Sequence, residues 1–263
     1  MKLSLIDSEG AIVVTSEHAE NVYLALKNRA YQLGERLQLT LGDNEHPGFF
    51  WVQMDEALSP SLIYLTEATW EYAVIQEEHL RRAYSPKVFS GERHYVRVWK
   101  PTMEELHYRN LALNAHDQKE QTGAYPHAFA NVATREDATF FARNAIDGMV
   151  ANQNHGSFPY QSWGINQQTD AQLTIDFGRE VLVDKIVLVL RGDYPHDSFW
   201  NQATVELDRE LFILETTNQL DRQFFTIPPT KTTTITLKEL IKHQDESPFP
   251  ALTEIEVYGC EVF

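Results

Sequence analysis

Two short stretches in the carboxyl-terminal half concentrate groups able to recognise a small polar molecule. The first is His155-Gly-Ser-Phe-Pro-Tyr-Gln-Ser-Trp163 and the second is Arg191-Gly-Asp-Tyr-Pro-His-Asp-Ser-Phe-Trp200. Tyr160, Tyr194 and Trp200 offer flat apolar faces, while His155, Arg191, Asp193, His196 and Asp197 offer hydrogen-bonding and charged groups. A pyranose stacks its apolar C–H face on an aromatic ring, and its hydroxyls need paired donors and acceptors to offset desolvation. The mixture therefore reads as a carbohydrate-type binding site, with these eight residues as its expected ligand contacts.

The same residues admit other chemistry. Asp193 and Asp197 could act as the carboxylate pair of a glycoside-processing enzyme, and His155, His196, Asp193 and Asp197 could bind a transition metal. No nucleophile elbow, phosphate-binding glycine loop, zinc-protease helix or Cys-His pair accompanies them. Non-catalytic binding is the expectation, with the enzyme as its alternative and a structural or interaction protein without a small ligand as a third class. Arg191-Gly-Asp193 also spells an integrin-recognition tripeptide, but a motif that short arises by chance.

A second constellation precedes these loops. Asn144-Ala-Ile-Asp147-Gly148 is a turn rich in oxygen ligands. Hard cations take six to eight oxygens from carboxylates, amides and carbonyls, and a turn holding Asp147, Gly148, Asn152 and Asn154 can wrap one. The competing reading is an Asp-Gly turn held by its own hydrogen bonds.

The elements that must position these groups read as strands. In Gln172-Leu-Thr-Ile-Asp-Phe-Gly178, Leu173, Ile175 and Phe177 fall on one face, the period of a half-buried strand. Gly178 is expected to turn the chain into a second strand, Val183-Asp-Lys-Ile-Val-Leu-Val-Leu190. Further strands are expected at Gln202–Leu207, Gln223–Ile227, Thr232–Leu237 and Leu252–Tyr258. A helical turn is expected at Leu237–Lys242, stopped by Pro248 and Pro250. Nearer the amino terminus, strands are expected at 11–15, 21–27, 36–42, 49–55, 61–66, 70–75 and 94–99, with helix propensity only at Glu77–Arg82. Thr102–Leu113 fits a strand or a short linker helix. Trp51, Trp70 and Trp99 are expected in a core or a domain interface.

The run Asn144-Ala-Ile-Asp-Gly, Ser162-Trp163, Leu173-Thr-Ile-Asp-Phe-Gly-Arg-Glu-Val-Leu-Val-Asp-Lys-Ile-Val-Leu188 and Thr253-Glu-Ile-Glu-Val-Tyr-Gly259 resembles the discoidin-type, galactose-binding-like domain of coagulation factor C-terminal modules and many carbohydrate-binding modules. The likeness spans about 125–263. It implies a β-sandwich jelly roll that binds ligands through loops at one end, with Trp163 packed inward. It also implies a structural calcium held by the Asp147 turn and by Glu254 at the start of the last strand, so Asp147, Asn152 and Glu254 are the expected metal ligands. The sequence departs from the family where Met149-Val-Ala-Asn152 follows the turn without the usual acidic or threonine residue.

The expected fold class is thus all-β, with two jelly-roll-like β-sandwich domains. An amino-terminal sandwich at 1–113 is joined through a polar linker, 114–126, to a galactose-binding-like domain at 127–263. The 263 residues suffice for two such cores. With 22 Lys and Arg against 38 Asp and Glu, the net charge of −16 repels nucleic acid and anionic membranes, so neither is an expected partner. An oligomer is compatible with the sequence. No leader or apolar run long enough to span a bilayer is read, and the single cysteine, Cys260, cannot form an internal disulfide. A cytoplasmic location is the resulting expectation.

Overall fold

The computed structural model describes residues 1–262 of the chain. In the amino-terminal half, alternating apolar residues form β1 (Lys2–Ile6), β2 (Ile12–Glu17), β3 (Asn21–Lys27), β4 (Arg36–Thr40), β5 (Phe49–Gln53), β6 (Ser61–Leu65), β7 (Thr69–Ala73) and β8 (Arg93–Trp99). A single helical turn, α1 (Glu78–Arg81), lies between β7 and β8. β1 is a strand the sequence analysis did not anticipate.

These strands make two antiparallel sheets, ordered β2-β1-β4-β7 and, with the short β10 (Ala124–Tyr125) at its edge, β10-β6-β5-β8-β3. Period-two alternation turns Leu3, Leu5, Leu37, Leu39, Trp70 and Tyr72 of the first sheet toward Val22, Phe50, Val52, Ile63 and Val98 of the second, in one buried cluster. Each large side chain so removed from water contributes roughly 1.5–3 kcal/mol. Trp70 lies in the core as expected. Trp51 and Trp99 do not, because their odd positions on β5 and β8 face away from it. They are half-buried on the outer face, stacked at 5.8 Å and 11°, with the Arg97 guanidinium 4.2 Å above Trp99.

Thr102–Leu113 resolves into a 3-10 turn at Glu104–Leu106 and β9 (Arg109–Asn110), and β11 (His127–Ala130) and β12 (Trp163–Gly164) follow. The remaining strands are β13 (Leu173–Leu190), β14 (Trp200–Leu207), β15 (Glu210–Glu215), β16 (Gln223–Lys242) and β17 (Ala251–Glu261). The hairpin expected around Gly178 is absent, since β13 runs unbroken for 18 residues. Gly178 has φ +66 and sits where a Cβ would strike the Tyr125 ring at 2.4 Å, so it supports a bulge that bends the strand without reversing it. β16 likewise absorbs the two expected strands and the expected helical turn at Leu237–Lys242. Pro228 and Pro229 fall in a gap of its ladder, between Thr226 opposite Lys185 and Thr230 opposite Val183, where no donor is required.

The sheet order is β12-β17-β13-β16-β14-β15. β11 pairs with Leu173–Asp176 of β13, and β17 pairs with Val181–Leu190 on the same edge. The sheet thus splits into two layers over one core, which includes Trp163, Phe177, Val183, Ile186, Trp200 and Val257. No helix among the described residues is long and apolar enough to cross a membrane.

The segment 114–126, expected as a polar linker, is buried at several points because its polar groups are satisfied internally. Asn114 Nδ2 donates to the Pro126 carbonyl at 2.8 Å. The Met54 amide donates to His116 Nε2 at 3.0 Å, and His116 Nδ1 meets Ser61 Oγ at 3.0 Å. Burial, reinforced by the charge of Arg143, pushes the His116 imidazole down to about 3, consistent with a neutral ring whose Nε2 accepts.

Candidate functional site

The loop from Arg191 to Phe199 joins β13 to β14 and is tied down at its start. The Arg191 amide donates to the Ala251 carbonyl at 3.0 Å, and Gly192 N donates to the Asn152 carbonyl at 2.9 Å. A Cβ at Gly192 would meet Leu220 Cδ2, the end of an exposed and flexible side chain, so Leu220 packs directly over this backbone. Asn152 Nδ2 donates to the Leu190 and Leu220 carbonyls at 2.9 and 2.6 Å, cross-linking the base of the loop.

This frame brings four of the expected residues together. Asp193 is buried, with Oδ1 3.0 Å from Arg191 Nε. Its Oδ2 is in hydrogen-bond contact with His155 Nδ1 and lies 3.4 Å from His196 Nδ1. The two imidazoles meet edge to face at 4.3 Å. Arg191 is also buried and donates through Nη2 to the Phe249 carbonyl.

His155, Arg191 and His196 line a cleft of about 320 Å³ whose apolar wall includes Phe140, Ile165 and Phe249. On the other side of His196 lies a groove of about 520 Å³ bordered by Tyr194, Asp197 and His243. Tyr194 is 87% exposed and Asp197 is also exposed, so both are presented to solvent.

Two expected ligand contacts lie elsewhere. Trp200 is fully buried and meets Trp163 at 6.5 Å in the core, because it opens β14 on the inward face instead of closing the loop. Tyr160 is half-buried and lines neither cleft. Sequence reasoning had missed Phe140 and Phe249. Pro248-Phe-Pro250 was legible only as a helix stop, although its aromatic sits 5.6 Å from the His196 ring.

Of the expected metal ligands, Asp147 and Glu254 are buried side by side. Gly148 N donates to both Glu254 oxygens at 3.1 and 3.2 Å, while Asp147 accepts from Met149 N at 2.9 Å and Gln161 Nε2 at 2.8 Å. Burial, followed by the charge of Asp147, pushes the Glu254 carboxyl well above the usual range, and burial also raises Asp147. Arg143 belongs to the same buried group. It is buried, donating to the Asp117 carbonyl at 2.8 Å and to Asn144 Oδ1 at 2.9 Å, and it lies 3.7 Å from Asp147 and 4.5 Å from the Tyr84 ring centroid.

No family model and no curated protein matches the chain. Similar folds do occur among solved structures. Chitosan-binding module 1 of a chitosanase/glucanase from Paenibacillus sp. IK-5 is 19% identical, with 57% of this chain and 99% of that one covered at a TM-score of 0.40. The lectin domain of lectinolysin, complexed with Lewis B antigen, is 18% identical over 58% of this chain and 98% of its own, at a TM-score of 0.43. A Streptococcus pneumoniae fucose-binding module is 15% identical over 58% and 99%, at a TM-score of 0.40.

Proposed function

We propose that the protein is a non-catalytic carbohydrate-binding protein whose site is the cleft between His155, Arg191 and His196. The observation that carries this reading is the placement of fixed polar heads beside apolar rings. Asp193 contacts Arg191 and His155 at once, which holds their remaining N–H groups in position before a ligand arrives. Donors fixed in advance lose little entropy on binding, so hydroxyls can be bound without first ordering a loop. Phe140 and Phe249 supply the apolar wall for a C–H face, and Tyr194 on the adjoining rim can extend the contact.

A glycan panel followed by calorimetry tests the proposal. The wild-type chain is expected to bind at least one mono- or oligosaccharide. His155→Ala should weaken that binding by about tenfold or more, equivalent to roughly 1.4 kcal/mol, with little change in Tm because His155 is partly exposed. Silence across a broad panel would remove the reading.

We also propose a structural calcium between Asp147 and Glu254, with the Asn152 side-chain oxygen as a further ligand. Two buried carboxylates sharing one space are what a hard dication neutralises. At about 100 times its dissociation constant, calcium should stabilise the chain by about 2.7 kcal/mol, read as a Tm rise reversed by chelator.

Glu254→Gln gives the sign. In chelator, the raised Glu254 carboxyl favours the folded state at acid pH, and that benefit is lost as pH rises through its folded value. Asp147, Glu256 and Arg143 are the charges facing it. The glutamine variant should therefore be the more stable form at neutral pH without calcium and the less stable form with it. A wild-type Tm indifferent to calcium would refute the site.

A further inference from the structure

We propose that His155, Asp193 and His196 form a binding site for a divalent transition-metal ion of the zinc class, with an open coordination position toward the cleft. One ligand atom from each residue lies within 4.8 Å of the others. The atoms that converge are the two imidazole Nδ1 nitrogens and a single carboxylate oxygen, Asp193 Oδ2. Two imidazoles and one carboxylate suit zinc, cobalt or nickel, whereas calcium and magnesium require oxygen-rich shells.

The spacing fits. Zinc–nitrogen bonds of about 2.0–2.1 Å at tetrahedral angles place neighbouring ligand atoms about 3.3 Å apart, and His196 Nδ1 lies 3.4 Å from Asp193 Oδ2. His155 needs only to exchange its hydrogen bond to that oxygen for a bond to the ion. Because His155 comes from a separate loop and is partly exposed, it can move to do so.

Two further observations point to an ion. His196 Nδ1 is a buried polar atom without a hydrogen-bond partner, and it faces the site. A metal would satisfy it. The other oxygen of Asp193 lies 3.0 Å from Arg191 Nε, an ion pair that keeps the carboxylate ionised and so able to ligate. The cluster of Asp55, Glu56 and His94 lacks this arrangement. There, the Asp55 oxygens accept from Ala57 N at 2.8 Å and Phe89 N at 2.9 Å, and so serve the backbone. With three protein ligands the ion would retain at least one position for water or a ligand oxygen, since His155 and His196 border the cleft.

The test uses the full chain, stripped with EDTA and dialysed, and titrated with zinc chloride alone by calorimetry. Cobalt chloride serves as a spectroscopic reporter of mixed nitrogen and oxygen ligation. One ion per chain is expected. His155→Ala and His196→Ala should each weaken zinc binding roughly 100-fold or more and abolish the cobalt spectrum, while calcium and magnesium give neither signal. Far-UV circular dichroism on each variant establishes that it is folded. Absence of zinc binding by the wild type, or binding unchanged in both folded variants, would overturn the proposal. The titrations contain no sugar, so their failure would leave the carbohydrate reading standing, and an empty glycan panel would leave this one standing.

Discussion

Trp200→Ala is expected to lower the stability of the protein by about 3–5 kcal/mol, seen as a fall in the urea midpoint with little change in slope. Trp200 is fully buried beside Trp163 and belongs to the cluster that joins Phe177, Val183 and Val257. Truncation forfeits the transfer energy of the indole and leaves a cavity that the two layers, fixed by continuous strands, can only partly close. Tyr194→Ala provides the contrast. Its side chain stands 87% exposed, so the loss of stability should stay within about 0.5 kcal/mol and any effect should fall on ligand binding. Equal stability losses in the two variants would return Trp200 to the surface.

Arg143→Ala should cost about 3–5 kcal/mol, through charge and not volume. The guanidinium is buried against the Tyr84 ring and lies 3.7 Å from Asp147, a carboxylate that is buried as well. Removing it leaves the Asp117 carbonyl and Asn144 Oδ1 without their donors, and it deprives Asp147 of its nearby positive charge. Arg143→Met retains much of the packing without the charge and should recover only a minor part of the loss. Because these groups are buried, both losses should change little between low and moderate salt, unlike those of an exposed pair such as Lys231 and Glu180. A loss of under about 1 kcal/mol in Arg143→Ala would show that the network contributes little.

The alternation of apolar residues carried most of the strand assignments, since one face of each strand is buried and the period is short. Continuity was not legible. Gly178 and Pro228-Pro229 are ordinary chain-reversal signals, and only the opposing ladder shows that each lies in a bend, with β13 and β16 running on beyond it. Loop chemistry was partly legible because His155, Arg191, Asp193 and His196 are polar residues crowded into two stretches. Phe140 and Phe249 come from segments that gave no such local signal, and they reach the cleft only through tertiary packing. Trp200 was misassigned because a residue at the junction of loop and strand changes face with a single step of register. Asp117 and His116, in what reads as a polar connector, are buried because each finds a partner distant in sequence or across a turn, such as His127 for Asp117 at 2.8 Å.

The two longest strands, β13 and β16, each pass through both layers of the carboxyl-terminal sandwich. Neither layer can therefore open while its companion stays zipped, because the same pair of ribbons forms the spine of both. Amide protons in the two layers should exchange with solvent as one cooperative block, with the slowest protons on either side of Gly178 released by the same global event.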